Sequence, residues 1–403
     1  MLKLLLYRSI RVLSLLLTFS NLSGQTGTTT LILTGDGKTD QTSEIQKAID
    51  SCSNAGGGTL IFPSGTYLFG PIFLKSNVTI SLDTCAVLLA NSNEEVYQTQ
   101  NGLLNIINGE NLSDISIIGK GIIDGNGKVW WEKFIQSGEK MKRPRLIYIK
   151  KSRNLHFEGI TLQNSPTFHL VPQDCENVVI SNVKFFAPDE SPNTDAIDPS
   201  RSRNVIITKC IIDVGDDNIA IKAGRSNGEL GAPCEDITIT DCTFLHGHGL
   251  SIGSETSNGV RNVTVKNCSF KGTTNGIRIK SNISLGGPVV NVSYNDITME
   301  DVKNPILVTF AYKDNKIEGV TTDIPSVSGF SITNLTITGS KHSGKIIGLP
   351  ESPLQSIILT NLNIKAKTGM IIENAKDVHL NNVDIQVEKG EKITTTNVEG
   401  SGF

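Results

Sequence analysis

Asn204-Val205-Ile206-Ile207-Thr208-Lys209-Cys210 and Asn262-Val263-Thr264-Val265-Lys266-Asn267-Cys268 are two copies of one pattern: an amide residue, an alternating β-rich run, a polar corner and a thiol. The same pattern opens at Asn154, Asn177, Asp236, Asn291, Gly329, Ser356 and Asp377. Six residues after each start stands Ile160, Val183, Cys210, Cys242, Cys268, Ile297, Leu335, Leu362 or Val383, which is apolar or thiol every time. Alternation of period two marks a strand with one buried face. Starts recur roughly every 20 to 40 residues, the range of a repeat array. That is too short for a crossover helix between parallel strands, and no helical periodicity lies between them. The architecture that buries such strands is all-β, a parallel β-helix whose coils stack about 4.8 Å apart with like residues in ladders.

The ends of the chain fit this reading. Lys3, Arg8 and Arg11, the apolar run from Val12 to Phe19, and the small residues Ser23 and Gly24 predict a signal peptide over residues 1–24. Residues 25–403 are then expected to form one elongated β-helix domain, secreted or periplasmic. Ile45, Ala48, Ile49 and Cys52 fall at helical spacing behind Asp40 and Thr42, and Gly56-Gly57-Gly58 follows. A short capping helix over the open first coil is therefore expected. No other stretch is apolar enough to span a membrane. The net charge of −3, which loss of the three leader cations takes to about −6, argues against nucleic acid as the partner. Cys210, Cys242 and Cys268 share one register position, so they read as buried core thiols rather than disulfide partners. No metal and no cofactor is expected, and a monomer is.

Four motifs stand out in the middle of the repeat: Ser191-Pro192-Asn193-Thr194-Asp195, Gly215-Asp216-Asp217, Gly247-His248-Gly249 and Arg278-Ile279-Lys280. The steps from Asp195 to Asp217, to His248 and to Arg278 are each about one coil, so these residues are expected to share one cleft. Glycoside hydrolysis needs a protonated carboxyl and a carboxylate on either side of the scissile bond. Crowding Asp195, Asp216 and Asp217 raises at least one carboxyl pKa and supplies the acid. His248, between glycines, is expected to hydrogen-bond an acid and tune its proton. Arg278 and Lys280, two apart on a strand, project from one face and suit a substrate carboxylate. Asn193 and Tyr312 complete the candidate substrate contacts. Two other functions stay open: a β-helix polysaccharide lyase, which would call for Ca²⁺ held by clustered acids, and a non-catalytic carbohydrate-binding stalk.

In that order and spacing the motifs resemble the signature of glycoside hydrolase family 28, the polygalacturonases. Gly119-Lys120-Gly121-Ile122-Ile123-Asp124-Gly125 with Trp130, the Asn164-Ser165-Pro166 corner, and Tyr312 after Asn304-Pro305-Ile306 extend the match over roughly residues 30–390. The resemblance implies a right-handed β-helix and metal-free, inverting hydrolysis of α-1,4-linked galacturonic acid in pectin. It assigns the acid to Asp216 and the water-activating pair to Asp195 and Asp217. Phe310 and Ala196 depart from the family pattern, outside the catalytic set. Insertions before Asp236 and around 311–328 are positioned to decide whether the cleft is open at both ends.

Overall fold

The computed structural model describes residues 27–225, 231–312 and 324–403. The expected leader and most of the two expected insertions lie outside the described residues. The chain winds as a right-handed parallel β-helix, with strands stacked coil upon coil along three faces. The first face runs from Thr28–Thr30 through Gly58–Phe62, Val78–Leu82 and Ser113–Gly119 to Arg203–Thr208 and Cys234–Thr240. The second begins with Asp36–Asp40 and Gly65–Phe69. The third carries the site: Ile147–Lys150, Leu170–Gln173, isolated bridges at Ile197 and Ser200, Ile219–Ile221, Leu250–Gly253, Asn275–Lys280 and Asn304–Thr309.

The repeated first residue is where the backbone turns. Asn154, Asn177, Asn204, Asp236, Asn262, Asn291, Ser356 and Asp377 all sit in the left-handed region at φ between 53° and 57°, and Gly329 at 68°. Among residues with a Cβ, Asn and Asp bear this conformation most readily, which explains their recurrence. Their amides then bond between coils. Asn177 Nδ2 donates to Asn154 Oδ1 at 3.0 Å, and Asn204 Nδ2 to Asn177 Oδ1 at 3.1 Å.

Six residues further on, the apolar position points inward. Eight of these nine side chains are buried and Val383 is half-buried, so like residues stack along the core. Cys210, Cys242 and Cys268 are buried free thiols in that stack. Phe244 and Phe270 stack face to face, their centroids 4.5 Å apart.

An amphipathic helix forms over Thr42–Asn54 and buries Ile45 and Ile49 against Gly58–Phe62, Ile72–Phe73 and Val78–Leu82. Asp40 Oδ1 accepts from the Thr42 amide at 3.0 Å and its hydroxyl at 2.6 Å, tying down the helix start. Two strands precede the helix and already pair with the next coil. A second helix, Lys128–Gln136, forms where the sequence offers only Trp130 as a signal; Trp130 is buried edge-on against Tyr97 at 5.5 Å.

Candidate active site

Ile147, Leu170, Ile197, Ile219, Leu250, Ile277 and Ile306 are register partners on the third face and point into the core. Two residues before each of them stand Arg145, Phe168, Asp195, Asp217, His248, Asn275 and Asn304, one row across seven coils. The sequence spacing of Asp195, Asp217 and His248 is therefore a spatial row. Arg278 and Lys280 lie on the adjoining strand, where Arg278 pairs in register with Ser251 and Lys280 with Gly253.

Close coil packing requires the glycines of the motifs. A Cβ on Gly215 would meet the Ser191 carbonyl at 2.4 Å, and one on Gly249 the Asn275 carbonyl at 2.0 Å, with Gly249 at φ 73°. Thr194 Oγ1 links the first two motifs, sharing a hydrogen with Ser191 Oγ at 2.7 Å and accepting from the Gly215 amide at 3.0 Å. The His248 amide donates to the Asp216 carbonyl at 2.8 Å, and His248 Nδ1 lies 3.0 Å from Asp216 Oδ1. His248 is thus hydrogen-bonded to an acid, as its acidic company led us to expect.

Asp217 is buried among donors. Lys280 Nζ lies 2.6 Å from Oδ2, and Ser251 Oγ and Arg278 Nη1 lie 2.9 and 3.4 Å from Oδ1. Tyr312 covers both cations, its ring 5.4 Å from the Arg278 guanidinium and 5.1 Å from the Lys280 ammonium. The pair expected to read a substrate carboxylate already holds one inside the protein. Lys280 is committed to it, whereas Arg278 keeps a buried Nε with no partner. Asn193 Nδ2 reaches Asp216 Oδ2 at 3.5 Å.

Asp195 pairs with Lys222 Nζ at 3.4 Å, and Lys222 also pairs closely with Asp198. Burial, then the neighbouring Asp198 charge, pushes the Asp195 carboxyl well up despite Lys222. Burial likewise pushes Asp198 up to about 6, against the pull of Lys222. Asp216 goes the other way. Burial would raise it, but the His248 hydrogen bond and charge, Lys280 and the Asp217 amide outweigh burial and hold it below the ordinary value. Raised carboxyls exist, but they are Asp195 and Asp198 and not Asp216, and burial raises them more than crowding does.

Asp198, Lys222 and Ser251 were not singled out in sequence. Their signal is register: Ile219-Ala220-Ile221-Lys222 repeats the spacing of Ile277-Arg278-Ile279-Lys280. Arg143 was also missed; it donates to the carbonyls of Pro166 and Pro192 at 2.8 and 2.6 Å and to Asn193 Oδ1 at 2.6 Å, fixing the first motif. Asp216, Asp217 and His248 also bring possible ligand atoms within 4.8 Å of one another. The Asp217 oxygens, however, already serve three protein donors, which a cation would have to displace.

Four carboxyls, three fixed cations and an imidazole are thus brought together across adjacent coils of a β-helix, the groups that glycoside hydrolysis by acid and base requires. The profile described as Glycosyl hydrolases family 28 matches residues 52–387, and the chain belongs to that family. It is 34% identical over 359 residues to an endo-polygalacturonase of Pectobacterium carotovorum subsp. carotovorum, covering 83% of this chain and 86% of that one. It is 32% identical to an exopolygalacturonase of Zea mays, with 86% of each chain covered. Among solved structures it is similar to the polygalacturonase from Erwinia carotovora ssp. carotovora, with a TM-score of 0.77 at 31% identity, covering 89% of this chain and 96% of that one.

Proposed function

We propose that this glycoside hydrolase cleaves α-1,4-linked galacturonic acid in pectin, with inversion and without metal. One observation carries the reading: the row Asp195, Asp217, His248, flanked by Asp216 and by cations, in a family 28 chain whose relatives are named polygalacturonases. An acidic polysaccharide suits a cleft edged by the cations Arg278 and Lys280 beside the Tyr312 ring. All these groups come from one chain, so a monomer suffices. Export to the exterior or periplasm rests on residues 1–24 alone.

Asp216 serves as the acid. Its side chain is 23% exposed, against 6% for Asp195 and 3% for Asp217, so it alone of the three reaches readily into the cleft. Asp195 and Asp217, held by Lys222 and Lys280, orient and deprotonate the water. Against burial, the His248 hydrogen bond and charge hold Asp216 low before substrate arrives. A second reading, favoured by the raised carboxyl of Asp195, exchanges the roles. The two separate on a galacturonide with a good leaving group, which needs no acid. Asp216→Asn should recover most of its lost rate on that substrate while Asp195→Asn stays inactive; the opposite pattern would assign the acid to Asp195. The lyase alternative is tested by product absorbance and chelator: reducing ends should form at a rate indifferent to chelator, with no ultraviolet-absorbing product.

A further inference from the structure

The carboxylates are flanked by cation–aromatic pairs on both sides. Toward the C-terminal coils the pair is Arg278 and Lys280 with Tyr312. Toward the N-terminal coils it is Arg145, whose guanidinium lies 4.7 Å from the ring centre of Tyr148 and 5.7 Å from that of Phe168. Arg145 and Phe168 belong to the register row of Asp195, two coils and one coil before it, so Arg145 stands about 10 Å along the cleft at the usual strand spacing.

Four other cations of this stretch are occupied. Lys150 pairs with Glu110 at 2.9 Å, Arg201 with Asp174 at 2.6 Å, Lys222 with Asp195 and Asp198, and Arg143 donates to two carbonyls and Asn193. Among the described residues no carboxylate lies within ion-pair distance of Arg145, and its side chain is half-buried. Tyr148 is fixed by its hydroxyl on Gln173 Oε1 at 3.0 Å, so the ring under the guanidinium is preset. A groove of about 390 Å³ opens beside it, lined by Phe73, Asn105, Asn108, Tyr148 and Lys150. A planar cation laid on aromatic faces, with its donor edge unspent, matches a carboxylate in geometry and charge.

We propose that Arg145, seated on Tyr148 and Phe168, binds the carboxylate of a uronic acid unit on the N-terminal side of the cleft, away from the bond that is cut. The inference rests on the galacturonan reading and deepens it: substrate choice becomes a matter of length and of free acid at that unit. Methyl esterification there removes the charge that Arg145 reads.

The test compares wild type, Arg145→Gln and Arg145→Lys on a galacturonate trimer, a heptamer and a methyl-esterified heptamer, with melting curves as a folding check. Arg145→Gln should lose about 10- to 100-fold in kcat/KM on the heptamer, mostly through KM, as expected for one charge-assisted contact. The loss should be several-fold smaller on the trimer and on the esterified heptamer, and Arg145→Lys should recover part of it. Equal losses on all three substrates, in either variant, would overturn the assignment. Cleavage of the heptamer by wild type stands for the galacturonan reading whatever Arg145 does. Absence of that cleavage removes both claims, whereas a length-independent loss removes Arg145 alone.

Discussion

Asp217 and Lys280 illustrate what a residue type alone cannot say. An Arg/Lys pair beside acids reads naturally as a clamp for an acidic substrate, yet Lys280 is buried and spends its charge on Asp217 at 2.6 Å. Lys280→Ala should therefore lower kcat by about 100-fold or more, equally on short and long substrates, since it strips the buried carboxylate proposed to activate water of its nearest cation and leaves only Ser251 and the more distant Arg278. A loss confined to KM on acidic substrate would restore the clamp. His169 has a second consequence at this scale. It is fully buried, its Nδ1 3.1 Å from the Asp195 carbonyl, and burial holds its imidazole down at about 4. The unfolded chain binds that proton from its ordinary pKa downward, so stability is complete above about 6.5 and is lost as pH falls toward 4. The loss amounts to about 3 kcal/mol at the low end, at roughly 1.4 kcal/mol for each tenfold difference in proton affinity between the folded and unfolded chain. Denaturant titrations across this range should show that slope in wild type and a shallower one in His169→Gln; identical slopes would exclude His169 as the source.

At the scale of the element, the repeat was legible because two physical demands coincide at fixed positions. A left-handed corner selects Asn, Asp or Gly, and the core position six residues on selects an apolar side chain or thiol. The corner can be tested directly. Asn204→Ala should cost about 1–2 kcal/mol, through the left-handed strain of an alanine and the lost bond to Asn177. Asn204→Gly should cost less, because glycine removes the strain and loses only the bond. Equal costs by chemical denaturation would show that the backbone conformation is not what selects Asn. The helix at Lys128–Gln136 was illegible by contrast, since Trp130 is its only buried residue while Val129 and Ile135 are exposed, so the sequence shows no buried stripe to read. Asp198, Lys222 and Arg143 escaped for a related reason. Each acts through contacts made across coils, and only the register, which a single motif does not contain, brings them to the site.

At the scale of the whole molecule, the site sums to four acids against three fixed cations, so one proton on the His248–Asp216 pair or on Asp195 brings it to neutrality. The rate should follow a bell on the acidic side of neutral pH. It rises as Asp195, raised by burial and Asp198, gives up its proton, and falls as the general acid loses its own once substrate is bound. His248→Ala should move the alkaline limb and leave the acidic limb in place; an unmoved alkaline limb would detach His248 from the acid. The solenoid supplies what this charge balance needs, because each coil adds one row position at a fixed spacing and the glycines of the motifs let the coils close.

The central claim is that these carboxyls add water across a galacturonosyl linkage. Digestion of polygalacturonate in heavy-oxygen water, followed by mass spectrometry of the products, tests it most directly. Hydrolysis should place one heavy oxygen on every newly formed reducing end, with no unsaturated product and no dependence on added Ca²⁺. Unlabelled products carrying a double bond, formed only with Ca²⁺, would contradict the account.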